Sequence, residues 1–484
     1  MKEQAIGLVR FLASLATKSA PTLPWNAARE AVNDLRHARK TTGAANSERL
    51  GVRLAKGAFW SITGAVIARG LALVASIFAA RMLGVQGFGE LGIIQSTVGM
   101  FGSLAGCGLG LTATKHVAEF RKNDPSRTGR IIGLCYLIAS FTGALAAVAL
   151  IAFAPWLARQ TLAAPHLTEI LRLSAGIAFL GVVTGLQSGV VSGFEAFKPI
   201  ARINLVAGLL AFPMLIAGVG WWGLEGAVWA LTANLALTAL LNHAAVRKIA
   251  RADNVKIRFT QAIDEIGVLG RFTVFALLGG LMGVPLNWAC NSILINQPGG
   301  YDQMGIFNAA NQWRMIILFL PATVGGVALP MMANVYGQGD KRRYGKLLRY
   351  TVLLNGGVAF LIALPLIVLA RFVLGFYGAE FVSGEFAFVL LTIAAVVIAV
   401  NNGVSRAIAS TGAMQVDLLL HVAWGAAFLG AGWLLIPRFG VTGLGAATLF
   451  GAVFQAICQW TWLSRQHRTF ARRVAVYQTS PNTA

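Results

Sequence analysis

The chain has 484 residues, 56% of them hydrophobic and only 12% charged, with a mean hydropathy of +0.68 and a formal charge of +22. A soluble globular domain carries about 25% charged residues, so the composition excludes an ordinary soluble protein. It implies an all-α polytopic membrane protein, because backbone groups inside lipid must be paired within their own segment. The excess of Lys and Arg is then read as topology rather than as a nucleic-acid surface, since cytoplasmic loops carry it.

Residues 1–53 form a basic tail. Its apolar stretch AIGLVRFLASLAT at 5–17 is too short to span a bilayer and is interrupted by Arg10. The order of charge, apolar core and cleavage site of a signal peptide is missing, so an in-plane or unstructured cytoplasmic segment fits better. Twelve spans follow, at about 57–80, 89–111, 131–155, 170–193, 199–220, 223–246, 266–295, 304–328, 349–370, 383–405, 414–436 and 441–464. Each is near the roughly 20 apolar residues that a crossing needs. The links alternate in charge: 32 Lys and Arg fall on one side, and only Arg81, Arg159, Arg371 and Arg438 on the other. Both termini are therefore expected in the cytoplasm.

The halves echo each other. ELGIIQS at 90–96 opens span 2 and QMGIFNA at 303–309 opens span 8, an offset of 213; GLEGA at 223–227 opens span 6 and GLGAA at 443–447 opens span 12, an offset of 220. A duplication in phase with the topology predicts an N-lobe at 54–246 (spans 1–6) and a C-lobe at 266–464 (spans 7–12). A cytoplasmic connector at 247–265 joins them, and a cytoplasmic C-terminal tail follows at 465–484. The six-helix lobes would be related by a pseudo-two-fold axis along the membrane normal, an arrangement in which transporters place substrate between the repeats. Gly102, Gly106 and Gly110 form GxxxGxxxG in span 2 and predict close approach of another helix. Pro285, beside Gly279, Gly280 and Gly283, predicts a bend in span 7.

Polar residues inside the spans mark the candidate site. An arginine at mid-span costs about 2.5–3.5 kcal/mol on insertion scales and usually faces protein or a water-filled cavity. Arg69 lies half-way along span 1, in WSITGAVIARGLALVASIFA, and Arg314 half-way along span 8. Asn308, Asn311 and Gln312 share a face of span 8 by their i, i+3, i+4 spacing, and Arg314 follows one turn on. Asn287 and Asn291 lie four apart in span 7, and Gln95 stands in span 2. All eighteen Asp and Glu fall in links, tails or span ends, so neither mid-span arginine has an evident internal partner. An unpaired guanidinium in a dry cavity suits an anion, and phosphate above all, because its planar donors pair with two oxygens at once. The four cysteines and the histidines show no ligand spacing, and the chain has no nucleotide-binding loop, catalytic triad or metal motif. No cofactor is expected.

The stretch KGAFWSITGAVIARGLALVASIFAARMLGVQGFG at 56–89, with its R-x-LG-x-x-x-FG ending, and GLGLTATKHVAEF at 108–120 resemble the bacterial polysaccharide flippases. These are the Wzx-type branch, for O-antigen and exopolysaccharide, of the multidrug/oligosaccharidyl-lipid/polysaccharide exporter superfamily. The resemblance covers about 54–464. It implies a two-lobed fold opening alternately to each side of the bacterial inner membrane, acting as a transporter rather than an enzyme. It implies as cargo an undecaprenyl-diphosphate-linked oligosaccharide, with membrane lipids and polysaccharide polymerase machinery as partners, and no nucleic acid. It also implies arginines on the first and eighth spans that receive the diphosphate, here matched by Arg69 and Arg314. A lipid II flippase and a cation-coupled multidrug antiporter of the same superfamily are the alternatives. The antiporter usually needs a mid-membrane carboxylate, which this chain lacks.

Overall fold

A computed structural model describes the backbone of residues 25–479 apart from 107 and 339. It describes side chains between 64 and 465 apart from 65, 107, 268–282, 324–327, 330, 339, 341 and 414. The tail segment 5–17, Cys107 and the side chain of Arg271 lie outside the described residues. The chain divides into two units, Met1–Trp60 and Ser61–Ala484. The described part of the first is helical from Trp25.

The described residues are predominantly helical, with short turns between helices and no strand among them. In chain order the helices are α1 Trp25–Gly106, α2 Leu109–Phe120, α3 Pro125–Trp156, α4 Thr168–Leu173, α5 Ala175–Gly193 and α6 Phe197–Ala252. They continue as α7 Gly270–Ile295, α8 Gly300–Gly337, α9 Lys341–Val368, α10 Ala370–Gly375, α11 Glu385–Ser410 and α12 Met414–Thr479. Seven helical stretches among the described residues are long and apolar enough to cross a membrane. The protein is a multi-pass membrane protein.

Local chemistry sets the boundaries. The Asp124 carboxylate accepts the Arg127 amide at 2.9 Å to cap α3, with Pro125 at the first helical position, and Asp340 caps α9 through the Arg343 amide at 2.9 Å. Both caps satisfy a donor that the helix cannot satisfy itself. Three long helices are broken internally: α1 at Gly84 (φ 72°), α6 at Trp222 and Gly223, and α12 at Gly440. Gly223 (φ 55°, ψ −129°) and Gly440 (φ 54°, ψ −131°) adopt the same conformation, one that side chains with a Cβ rarely tolerate. They lie 217 residues apart, as do Gly226 and Gly443. That offset differs by three residues from the 220 that separates GLEGA from GLGAA. Glycine spacing alone offers several alignments, and only the positive φ chooses between them.

GxxxGxxxG is also corrected. The helix ends at Gly106 and restarts after Gly108 (φ 65°), which breaks the common face. Gly110 packs against Gly185 and Gly189 of α5, whereas a Cβ added at Gly102 or Gly106 would meet nothing within 4 Å. Span 7 runs as one helix, α7, through Pro285.

Packing joins the sequence halves in one shared apolar cluster, and the smaller clusters each draw on one half among the described residues. The largest apolar cluster mixes both halves, from Phe88, Leu91 and Ile94 to Ile306, Tyr377 and Phe381. A second cluster is drawn from the first half alone, around Ile131, Val190 and Val246. Two more come from the second half alone, around Met332 and Ile408 and around Ile317 and Ala399.

The stretch after α6 is clamped to the start of α3. Glu265, 7% exposed, takes Arg127 Nε and Arg130 Nη2, each at 2.9 Å, and the Arg258 amide donates to the Gly129 carbonyl at 3.2 Å. Burial pushes the Glu265 pKa up, but hydrogen bonds and charge from both guanidiniums outweigh it and hold the carboxyl below its ordinary value. A lowered folded pKa means the clamp is complete above the usual carboxylate range and is lost as pH falls through the lowered value. Glu265→Gln should therefore raise amide exchange at 255–258 several-fold at neutral pH, an increase the unsubstituted chain shows only in acid. Equal exchange at neutral pH would contradict the clamp.

Candidate functional site

The first leg of α1 packs on α6 through small residues: Gly64 lies against Ala201, and Ala68 against Gly208. That contact fixes the rotation of α1 and turns Arg69 toward α8. Its guanidinium carbon lies 4.3 Å from the centroid of the Phe319 ring. Stacking uses the face of the guanidinium and leaves the N–H groups in its plane free to donate.

Arg69 lines a cavity of about 380 Å³ bounded by both legs of α1, by α6 and by α8. Five of the residues singled out from sequence meet there: Arg69, Gln95, Asn308, Asn311 and Gln312. Asn308 and Gln95 are separated by the 213 offset of the ELGIIQS and QMGIFNA segments, and both face this one space. Ser76 and Asn234 also line it and were missed by the sequence reading. Ser76 lies two turns from Arg69 on the same face of α1, which is the signal that could have found it. Asn234 donates Nδ2 to the Ala207 carbonyl at 2.8 Å, which leaves its oxygen as an acceptor. Arg69 is the one charged residue among the described lining residues.

Arg314 does not line the cavity. It is 9% exposed and donates Nε to Asn311 Oδ1 at 2.9 Å. An arginine can only donate, so this bond fixes the Asn311 amide with its oxygen spent and its NH₂ free. Arg314 thus acts behind Asn311 and makes it a donor. Among the described residues no carboxylate lies within ion-pair distance of Arg69 or Arg314.

Asn287 and Asn291 are also placed elsewhere. Asn287 donates to its own helix at the Gly283 carbonyl, 2.7 Å. Asn291 Nδ2 donates to Ser96 Oγ at 2.9 Å, beside Trp288 Nε1 on Thr97 Oγ1 at 3.0 Å, so both tie α7 to the second leg of α1. Further bonds close the same end between the halves: Arg81 Nε to the Phe376 carbonyl (2.6 Å), Asn296 to Thr161 (2.7 Å) and Tyr301 Oη to Leu162 (2.6 Å). Phe88 fills the centre, 6.2 Å from the Tyr377 ring and 6.1 Å from Phe381. Gly89 lies directly on the Tyr301 carbonyl, and Gly305 on that of Val85.

A family model described as "Polysaccharide biosynthesis protein" matches residues 54–335. The chain belongs to the polysaccharide biosynthesis protein family. Its relatives include an EPS I polysaccharide export inner membrane protein, EpsE, of Ralstonia solanacearum. That protein is 25% identical over 79% of this chain and 87% of its own length. The Lipid III flippase of Escherichia coli K12 is 23% identical over 60% of this chain and 70% of its own. Among solved structures, an inward-facing multidrug resistance MATE family transporter of the MOP superfamily superposes with a TM-score of 0.72. It is 15% identical and covers 88% of this chain and all of that one. That likeness gives the fold of this polysaccharide biosynthesis protein as the MOP transporter fold.

Proposed function

We propose that the protein is a flippase that moves undecaprenyl-diphosphate-linked oligosaccharide repeat units from the inner to the outer leaflet of the bacterial cytoplasmic membrane. The observation that carries this reading is Arg69: a guanidinium with no carboxylate partner among the described residues, in a cavity shared by both halves and otherwise lined by amides, a hydroxyl and apolar groups. Phosphate oxygens match its donors, with Asn311 NH₂ adding a further donor. Amides that both give and accept hydrogen bonds suit the hydroxyls of a first sugar.

Twelve crossings are supported by the internal breaks. Dividing α1, α6 and α12 at Gly84, Gly223 and Gly440, and counting α3, α5, α7, α8, α9 and α11 once each, gives twelve. The lobes are then 54–246 and 266–464, with both termini cytoplasmic by the distribution of Lys and Arg. In that orientation the bonded and ring-packed end faces outside, beside Arg81, Arg159 and Arg371. The arrangement corresponds to the inward-facing state of an alternating-access cycle.

Moving one elementary charge through 100 mV is worth about 2.3 kcal/mol. Export of an anionic diphosphate from a negative cytoplasm is downhill to the extent that its charge is not neutralised, and the emptied cationic cavity is drawn back inward. ATP has no place in this cycle. In proteoliposomes with an imposed potential, transport of the lipid-linked oligosaccharide should accelerate when the face equivalent to the cytoplasm is made negative. A rate indifferent to both voltage and ion gradients would remove this driving force.

A further inference from the structure

The break in α6 carries a recess apart from the Arg69 cavity. At Trp222 and Gly223 the backbone leaves helical geometry. Gly218 on the first leg then meets Gly226 on the second backbone to backbone, and a Cβ on either would overlap the other's carbonyl. Beside this contact lies a recess of about 640 Å³, within the roughly 300–1,000 Å³ typical of ligand cavities. Met214, Gly218 and Trp221 line it from the first leg, and Glu225, Trp229 and Ala233 from the second, each set on one helical face. Trp222 lines it at the turn. Trp221, Trp222 and Trp229 are 74%, 63% and 54% exposed, so their ring faces are open rather than spent on packing. The Trp221 and Trp222 rings meet edge to face, with centroids 5.7 Å apart.

The two ends of the recess differ in chemistry. Glu225, near the turn, is exposed and is the one charged residue among the lining residues. Among the described residues no cation lies within ion-pair distance of it. Ala233 lies ten residues beyond Gly223, about 15 Å along a helix axis. The recess thus runs through one leaflet of a hydrocarbon core about 30 Å thick. Its deep walls, Met214, Ala230 and Ala233, are apolar. Tryptophans at an interface can simply anchor a helix among headgroups, but an anchor needs neither a recess nor an unpaired carboxylate inside it. A sugar chain needs hydrogen-bond partners along its length, and the deep side chains offer none. A hydrocarbon chain fits the deep walls, and a cation fits the mouth. An ammonium is drawn to tryptophan faces and donates charge-assisted hydrogen bonds to a carboxylate. Lipids with anionic headgroups and no cation are repelled by Glu225.

We propose that this recess binds one phosphatidylethanolamine molecule of the outer leaflet, its ammonium held by Glu225 and the tryptophan rings and an acyl chain laid along Met214, Ala230 and Ala233. The choice of leaflet rests on the orientation given under the proposed function; the recognition depends on neither that orientation nor the cargo, and its test uses no cargo. Ala230 also lines the Arg69 cavity, so the lipid sits behind a wall of that cavity. The full-length protein, released from detergent micelles in a native mass spectrometer, is titrated with phosphatidylethanolamine or with phosphatidylglycerol of the same acyl chains. One phosphatidylethanolamine should bind saturably. Glu225→Gln, a change at an exposed position, should weaken that binding about ten-fold or more and leave phosphatidylglycerol, which the basic cytoplasmic links attract, unchanged. Replacing Trp221 and Trp222 together by leucine should weaken phosphatidylethanolamine several-fold. Absence of saturable phosphatidylethanolamine binding would overturn the proposal. So would undiminished binding in Glu225→Gln, or an equal loss of both lipids.

Discussion

Replacing Arg69 by alanine should abolish polymer export while leaving the protein inserted at its normal level, with lipid-linked repeat units accumulating in the membrane. Among the described residues Arg69 meets no carboxylate, so its removal orphans no acid there and costs the fold the contact with Phe319. On the proposed function, what is lost is the guanidinium's pairing with phosphate. Charge-assisted hydrogen bonds are worth about 1.5–3 kcal/mol each, so losing two weakens binding on the order of a hundred-fold or more. Arg69→Lys keeps the charge and loses the two-pronged geometry, and should fall between the two. Arg314→Gln should act differently: the Asn311 amide is freed to turn, and export should drop less than in Arg69→Ala. Measuring the lipid-linked intermediate beside the exported polymer separates these outcomes. Normal export in Arg69→Ala would take Arg69 out of the site.

Enlarging Gly89 should disable the protein by another route. A Cβ at this position would overlap the Tyr301 carbonyl, which is backbone and cannot swing aside. Gly89→Leu should therefore force the second leg of α1 away from α8 and open the packed end around Phe88. Asn311→Cys, which puts a thiol at the cavity, should be shielded from a membrane-impermeant maleimide added outside. With Gly89→Leu added, it should label readily and transport should fall by at least ten-fold. Unchanged shielding together with unchanged transport would show that the contact does not hold this end closed.

The helical class and much of the cavity were legible in the sequence. Long apolar runs allow only helices in lipid, and the face shared by Asn308, Asn311 and Gln312 follows from helical spacing. Arg314 was not placed correctly, for a physical reason. Side chains on a helix lean toward its N-terminus, so an arginine one turn beyond Asn311 lies back over it and reaches Asn311 rather than the cavity. Asn291 looked like cavity polarity and instead bonds across to Ser96, because a polar residue in a span can serve either a ligand or a neighbouring helix. Ser76 was passed over because one hydroxyl in an apolar run has no spacing of its own to announce it. The internal breaks depend on a backbone angle that glycine permits without revealing.

The division of labour follows from these placements. Arg69 supplies the charge, Arg314 fixes the Asn311 donor, and the glycine contacts at Gly89 and Gly305 let the two halves meet at one end while the cavity lies between them. The most direct measurement reconstitutes the purified protein in vesicles with undecaprenyl-diphosphate-linked oligosaccharide and follows exposure of the sugar to a lectin added outside. The unsubstituted protein should expose the sugar much faster than protein-free vesicles, and Arg69→Ala should fall to the protein-free rate. Equal rates for the unsubstituted protein and Arg69→Ala, or no rate above protein-free vesicles for either, would contradict the account.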